Sequence, residues 1–209
     1  MKTILSLYDY SGAMVEPWIE NGFLGIIVDS QHPKGETREG NLIKWGGDIL
    51  ELEPKLKTLN NVVFVSSFPP CTDLAVSGAR WFKRKAKENP RFQDNAMMLV
   101  HAAKRIGEWY NVPYFIENPV SVISTLWRKP DYYFHPYEYS GFCPDETYTK
   151  KTCLWANEKF IMPEPFFDKE IDPDNRIHTE PPGPNRKNNR SKTPLGFARA
   201  VFYANGAPE

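Results

Sequence analysis

One long amphipathic stretch between two short apolar runs constrains the fold of this sequence most. Residues 62–66 and 113–116 are the apolar runs, and each is short enough for a strand. Between them, residues 94–110 place apolar side chains at the period of a helix, with Asp94 as its expected N-cap. A strand, a long helix and a second strand predict a parallel βαβ unit.

Further alternation of strand and helix patterns extends this unit. Strands are predicted at residues 3–8, 24–28 and 151–155, and a short helix at 13–21 closed by Gly22. Thr193 as N-cap, Pro194 at the first helical position and Gly206 just beyond the end predict a final helix. We expect an α/β fold with a doubly wound, mostly parallel sheet and functional loops at the strand ends.

Length and cysteine content bound the class of protein. A chain of 209 residues suits a single domain, here residues 1–209, that buries about 70% of its unfolded surface. No stretch approaches the roughly 20 apolar residues of a membrane span, and the strand-like start predicts no signal peptide. Three cysteines are too few for a disulfide framework and indicate a reducing compartment. We expect a cytoplasmic protein without a membrane partner.

Residues 157–192 differ from the rest of the chain. They have few periodic apolar positions and contain six prolines: Pro163, Pro165, Pro173, Pro181, Pro182 and Pro184. This composition predicts an extended loop packed on the surface.

A cysteine follows the first apolar run, in the segment Phe68-Pro69-Pro70-Cys71. The prolines fix the backbone as it leaves the predicted strand, so the thiol is presented at a defined place. The carboxyl end of a strand in an open α/β sheet is where such sheets bind ligands. A buried cysteine acting as a small hydrophobe is the alternative. The proline pair and the polar loop that follows favour a nucleophile.

The formal net charge is zero, but basic residues are clustered. One cluster shares its segment with Glu88 as its only acid and consists of Arg80, Lys83, Arg84, Lys85, Lys87 and Arg91. A second has no acid and consists of Arg186, Lys187, Arg190 and Lys192. Solvated charged faces are the alternative for either cluster. Their positions, after the cysteine and before the last helix, favour phosphate contact.

Four segments, taken in order, resemble the cytosine-C5 DNA methyltransferase family. They are Leu5-Ser6-Leu7-Tyr8-Asp9-Tyr10-Ser11-Gly12, Pro70-Cys71, Glu117-Asn118 and Arg190-Ser191-Lys192-Thr193-Pro194. The resemblance spans residues 3–205 and implies a Rossmann-like methyltransferase fold. Compact proteins of this family are encoded by bacteriophages, which would place this one in a bacterial host cell.

The resemblance implies S-adenosyl-L-methionine as cofactor. Ser11 and Gly12 would close over its methionine part, with Tyr10 and Pro70 also at the cofactor. Asp29 would accept hydrogen bonds from the ribose hydroxyls, and Asp48 from the adenine amino group. Asp9 stands where the family has an apolar residue, Ala13 replaces a glycine, and the family's terminal Gly-Asn motif is not found.

The resemblance also implies covalent catalysis. The Cys71 thiolate would add to carbon 6 of cytosine, and Glu117 would hold the amino group and N3. A basic strand would hold the carbonyl group, with Lys151 slightly favoured over Lys150 in place of the family's arginine. Asn118, assigned to the substrate side, is expected to shape the turn.

Carbon 5 of cytosine, which such enzymes methylate, is inaccessible in a duplex, so they flip the base out. Residues expected on the substrate side, besides Asn118, are Ser77, Gly78, Arg80, Lys83, Arg84, Lys150, Arg190 and Thr193. Gly78 is the expected hinge of the basic segment, in which Trp81 and Phe82 would close over the DNA. Only residues 157–192 stand where relatives carry a target-recognition domain, which implies a relaxed sequence preference or a protein partner that supplies recognition.

Two other functions stay open. The same chemistry on RNA or a free pyrimidine nucleotide is compatible with the missing recognition domain, although the basic clusters favour a polymer. A catalytically silent DNA-binding regulator or decoy fits the missing terminal motif, whereas the presence of Cys71 and Glu117 argues against it. A cysteine hydrolase is disfavoured because no histidine stands in a motif typical of a base. No metal site is expected, since Cys143 and His135 lack a usual zinc spacing.

Overall fold

A seven-stranded sheet forms the centre of the protein. The structure, a computed structural model, describes residues 1–181, 183 and 186–206, except for the side chains of His178 and Lys187. The strands are β1 (Thr3–Leu7), β2 (Leu24–Glu39), β3 (Leu42–Gly46), β4 (Val62–Ser67), β5 (Tyr114–Pro119), β6 (Tyr132–Phe134) and β7 (Thr152–Ala156).

The strand order is β3-β2-β1-β4-β5-β7-β6. Strand β1 is parallel to β2 and β4, and β4 is parallel to β5, whereas β7 is antiparallel to both β5 and β6. This arrangement confirms the doubly wound, mostly parallel sheet and the predicted βαβ unit. The order reverses between β1 and β4, so the crevice at their carboxyl ends is the topological switch point of the sheet.

Strand β2 is longer than predicted and doubles back around β3. Residues 25–29 pair with β3 in parallel, whereas the pairing of residues 35–39 with β3 runs in the opposite direction. The chain therefore crosses the end of β3 and returns as a hairpin through Gly40, which has φ 59°. The crossing is tight, because a Cβ at Gly46 would lie 2.0 Å from the carbonyl oxygen of Pro33. The strand prediction that ended at residue 28 was too short.

Helices cover both faces of the sheet. They are α1 (Glu16–Glu20), α2 (Ile49–Leu56), α3 (Phe82–Glu88), α4 (Phe92–Tyr110), α5 (Ile123–Leu126), α6 (Arg176–Thr179), α7 (Arg186–Ser191) and α8 (Leu195–Asn205), with 3₁₀ turns at Val76–Trp81 and Pro136–Tyr139. Helices α2 and α4 bury Leu56, Val100 and Ile106 against one face of the sheet. Helices α1 and α8 bury Trp18 and Phe197 against the other face.

Helix α4 begins earlier than predicted. Its N-cap is Arg91, which makes no side-chain cap hydrogen bond, and Asp94 lies inside the first turn. The physical reason is Phe92, which is buried and packs on Phe82 with ring centroids 5.6 Å apart. Because this ring is buried, the helix begins at Phe92, two residues before Asp94.

Helix α8 is capped by a distant side chain. Its N-cap is Pro194, so the prediction of Thr193 as N-cap was wrong by one residue. Oxygens of the Glu146 carboxylate instead accept hydrogen bonds from the backbone amides of Leu195 (2.7 Å) and Gly196 (2.8 Å). A carboxylate at a helix N-terminus satisfies amides that have no partner within the helix and interacts favourably with the helix dipole.

The proline-rich segment is only partly an extended loop. Most described residues of 157–192 are irregular, but α6 and α7 lie within it. Pro182 and Pro184 lie outside the described residues.

Within the described residues, no helix combines the length and the apolar character that crossing a membrane requires.

We expect Glu146→Ala to lower the free energy of unfolding by about 1–3 kcal/mol, because amides of α8 lose their charged acceptor. Urea unfolding followed by circular dichroism measures the change. Glu158→Ala, at an exposed position, is the matched control. Equal stability of the two variants would show that the carboxylate does not cap α8.

Candidate active site

The loop that carries Cys71, residues 68–75, begins where β4 ends. The backbone amide of Phe68 donates to the carbonyl oxygen of Leu7 at 3.0 Å, so the loop starts beside the carboxyl end of β1. Pro69 is buried and Pro70 is exposed. Because neither proline has an N–H group, the pairing of β4 with its neighbours cannot continue past Phe68.

Cys71 is half-buried at the turn of this loop. Its carbonyl oxygen accepts hydrogen bonds from the amides of Leu74 (3.0 Å) and Ala75 (2.8 Å). Ala75 forms an antiparallel bridge with Ser121, beyond the end of β5. The Cys71 loop is therefore held in a tight turn against the segment that follows the neighbouring strand.

Asn118 ties the same loop to β5. The side chain is 1% exposed, and its Nδ2 donates to the carbonyl oxygen of Pro69 at 2.9 Å. This bond confirms that Asn118 shapes the turn. Its assignment to the substrate side stays a prediction.

Glu117 lies next to the Cys71 loop, on the opposite face of β5 from Asn118. It lines a cavity of ≈ 10 Å³ whose walls are Phe68, Phe134, Lys150, Ser191, Thr193, Pro194 and Phe197, and this volume is near the lower limit for one water molecule. Burial raises the pKa of the Glu117 carboxyl above its ordinary value, and the charge of Lys150 opposes that rise. The site therefore holds a carboxyl that stays protonated to higher pH than an exposed one.

The structure brings Lys150 to Glu117, and not Lys151. Lys150 lines the Glu117 cavity, whereas Lys151 is exposed with its Nζ 4.8 Å from the ring centroid of Tyr133. The two side chains diverge because successive residues at a strand start point to opposite faces. The preference for Lys151 over Lys150 is therefore corrected by the geometry.

The other two cysteines have thiols whose pKa is raised by burial. Cys153 is buried in the core, as predicted, and burial raises the pKa of its thiol to about 11. Burial also raises the pKa of the Cys143 thiol. A thiol with a raised pKa is a poor nucleophile at neutral pH.

The turn after β1 is organised by Asp9. This buried carboxylate accepts hydrogen bonds from the Gly12 amide (2.8 Å), the Ser6 hydroxyl (2.8 Å) and the Ser11 hydroxyl (3.2 Å). Gly12 has φ +72°, a conformation that favours glycine. The departure from the family pattern at Asp9 is thus an Asx-type support for the Ser-Gly turn. The spacing Asp-x-Ser-Gly is the signal that could have identified it.

Tyr10 lies beside the same turn. It is half exposed, and its ring stacks on His32 with centroids 5.2 Å apart. His32 belongs to the segment by which β2 crosses β3, and its Nε2 lies 3.3 Å from the carbonyl oxygen of Asp9. The segment by which β2 crosses β3 therefore lies beside the turn after β1, where the cofactor is predicted to bind.

The two predicted cofactor acids follow β2 and β3 at this edge. Asp29 is nearly buried, and its Oδ1 accepts from the amide and the side chain of Gln31 at 2.8 and 3.2 Å. Asp48 is exposed and is the N-cap of α2, where its Oδ1 accepts from the amide of Leu50 at 2.8 Å. In these contacts Asp29 and Asp48 each use one of their two carboxylate oxygens.

A larger cavity of ≈ 200 Å³ lies between the Cys71 loop and α4. Its lining residues are Pro70, Thr72, Asp73, Asn89, Phe92, Asn95, Ala96 and Leu99. Of the predicted cofactor residues, only Pro70 contributes to this lining.

The predicted DNA-contacting residues occupy separate surfaces. Ser77 is exposed in the 3₁₀ turn that follows the Cys71 loop, and Gly78 is half-buried in the same turn. Arg80, Lys83 and Arg84 are exposed around α3. Arg190 is half-buried in α7.

Trp81 organises the arginines of the basic segment. It is 44% exposed, and the guanidinium groups of Arg80 and Arg84 lie 5.0 and 4.8 Å from its ring centroid. These cation–π contacts hold two positive groups together beside the Cys71 loop.

Neither the scan against models of protein families nor the search of curated proteins finds a match to this sequence.

We expect Glu117→Gln to raise the melting temperature at neutral pH by roughly 2 °C or more. The folded state resists ionisation of Glu117, whereas the unfolded state ionises above the ordinary pKa of 4.5. Wild-type stability therefore falls as pH rises from this value through the raised pKa, and the glutamine variant lacks this loss. Thermal unfolding of both proteins from pH 4 to pH 8 measures the difference. A gap that does not widen with pH would contradict burial of the carboxyl.

Proposed function

We propose that the protein transfers a methyl group from S-adenosyl-L-methionine to carbon 5 of cytosine in DNA. The observation that supports this most is that the Cys71 loop and Glu117 follow or end two adjacent parallel strands, β4 and β5, with Phe68 of the loop lining the Glu117 cavity. Lys150 beside Glu117 adds a cation to the same pocket. The strand order, with the reversed β7 between β5 and β6, is compatible with the Rossmann-like methyltransferase fold that the resemblance implies.

Cys71 is the nucleophile of this proposal. Its thiolate sulfur forms a bond to carbon 6 of the base, and the displaced electron pair makes carbon 5 nucleophilic. After methylation at carbon 5, solvent water accepts the carbon-5 proton, the electron pair of that C–H bond re-forms the double bond between carbons 5 and 6, and the sulfur–carbon bond breaks. Cys71 leaves as the thiolate and is ready for another cycle.

Glu117 holds the base while sulfur adds. Its protonated carboxyl donates to N3, where negative charge develops, and its carbonyl oxygen accepts from the exocyclic amino group. The raised pKa of Glu117 favours this protonation state. Lys150 donates to the cytosine carbonyl oxygen as a single charged donor, in place of a bidentate arginine.

The residues at the switch point fit the cofactor. Ser11 and Gly12 follow β1, Asp29 ends the parallel part of β2, and Asp48 follows β3, and these strands are neighbours in the sheet. Asp9 accepts from the Gly12 amide and the Ser11 hydroxyl and so would hold this turn in shape for the methionine part, and the second oxygen of Asp29 would accept from the ribose. When bound, S-adenosylmethionine supplies the electrophilic methyl group.

The substrate is proposed to be DNA because basic side chains adjoin the Cys71 loop. Arg80, Lys83 and Arg84 would contact phosphates and hold the strand from which the base is flipped. The Glu117 cavity is too small for a base ring, so its walls must open for the base to enter. With only residues 157–192 in place of a recognition domain, we propose a relaxed sequence preference or a protein partner.

Expression in a host that lacks cytosine methylation tests the function. We expect 5-methylcytosine in DNA from cells with wild type and with Cys143→Ala, and none with Cys71→Ala, because only Cys71 forms the covalent bond. Mass spectrometry of digested DNA and RNA quantifies the product. Methylation by Cys71→Ala would exclude Cys71 as the nucleophile. If 5-methylcytosine were found in RNA alone, RNA and not DNA would be the substrate.

A further inference from the structure

Lys85 differs from its basic neighbours in where its charge lies. Its side chain is 24% exposed, and its Nζ donates to the carbonyl oxygen of Thr72 at 2.9 Å and to Oδ1 of Asp73 at 2.5 Å. The neighbouring Lys83 is exposed to solvent. Lys85 therefore belongs to the Cys71 loop by its contacts, although its sequence context places it among candidate phosphate ligands.

The contacts of Lys85 reach the residues directly after the cysteine, Thr72 and Asp73. The carbonyl oxygen of Thr72 is two peptide units from the Cys71 side chain, and the carbonyl oxygen of Cys71 itself closes the following turn. Gln93 in α4 adds a longer contact, since its Nε2 lies 3.4 Å from the carbonyl oxygen of Asp73. Helices α3 and α4 thus hold the part of the loop that follows Cys71, whereas Asn118 holds the part that precedes it.

We propose that Lys85 is a positioning residue that holds Cys71 in its reactive place. The proposal rests on the proposed function insofar as Cys71 is the nucleophile. A charged hydrogen bond to a loop carbonyl and an ion pair to the next residue restrict the loop more than either contact alone. Removal of both lets residues 71–73 sample conformations in which the sulfur is no longer aimed at the substrate.

This role also links the substrate surface to the nucleophile. Helix α3 presents Lys83 and Arg84 to solvent and Lys85 to the Cys71 loop. A phosphate group held by the exposed side chains would fix the helix from which Lys85 reaches the loop. Binding of a nucleic acid and alignment of the thiol therefore act through the same short helix.

Amide hydrogen exchange tests the position of the loop without any need for activity. The variants are Lys85→Met, Lys85→Arg, and Lys83→Met as a control that loses the same charge from the same helix. We expect exchange of the Leu74 and Ala75 amides, which donate to Cys71, to be about 5-fold or more faster in Lys85→Met. Lys83→Met should match wild type, and Lys85→Arg should stay within about 2-fold because guanidinium also donates to both oxygens.

Steady-state kinetics on DNA tests the consequence for the reaction. We expect kcat of Lys85→Met to fall about 10-fold or more with KM for DNA little changed. Lys83→Met should instead raise KM for DNA, since it removes a proposed phosphate contact. Lys85→Arg should recover most of kcat.

Two results would overturn the proposal. One is equal exchange of the Leu74 and Ala75 amides in Lys85→Met and Lys83→Met. The other is faster exchange in Lys85→Met with an unchanged kcat. If wild type has no methyltransferase activity, the proposed function fails, and the exchange rates still decide whether Lys85 positions the loop. Melting temperatures of all variants within about 3 °C of wild type would show that the differences are local.

Discussion

The hydrogen bond from the buried Asn118 amide to the Pro69 carbonyl oxygen joins the Cys71 loop to strand β5, and the candidate site depends on this connection. Strands β4 and β5 are parallel neighbours, so their carboxyl ends lie side by side. The proline pair that follows β4 cannot donate backbone hydrogen bonds, so side chains add to the attachment of the loop there. Asn118 attaches the loop from β5 at the residue Pro69, and Lys85 attaches it from α3 at the residues Thr72 and Asp73. The backbone bridge between Ala75 and Ser121 joins the end of the loop to the segment after β5.

Glu117 is a carboxyl group among aromatic rings. It shares its cavity with Phe68, Phe134 and Phe197, and one cation, Lys150, lies in the same wall. Burial makes ionisation of such a group unfavourable and raises its pKa. In the proposed function, this would favour the protonated carboxyl that donates to N3 of the base, while it lowers stability as the pH rises. Such an exchange of stability for function is typical of catalytic sites.

Local sequence patterns predicted the central elements well and their connections poorly. The strand–helix–strand pattern around residues 62–116 gave the parallel unit, because apolar runs and a helical period are local signals. The return of β2 around β3 depends on a close backbone approach at Gly46, which no local pattern encodes. The cap of α8 by Glu146 joins residues about fifty positions apart, so Thr193 was chosen on local grounds. Lys150 and Lys151 are adjacent in sequence, and which of the two side chains points to Glu117 depends on how the chain enters β7.

The order of the motifs placed Cys71 and Glu117 correctly at strand ends, and it missed the residues that hold them. Asp9 and Lys85 form hydrogen bonds to loop residues, and charge and composition alone do not predict such contacts. The proposed reaction depends most on a covalent bond between Cys71 and carbon 6 of cytosine. Incubation with S-adenosylmethionine and a DNA duplex containing 5-fluorocytosine tests this, because fluorine at carbon 5 cannot leave as a proton does. We predict a stable protein–DNA adduct that mass spectrometry maps to Cys71, and an adduct at another residue, or none, would contradict the proposed reaction.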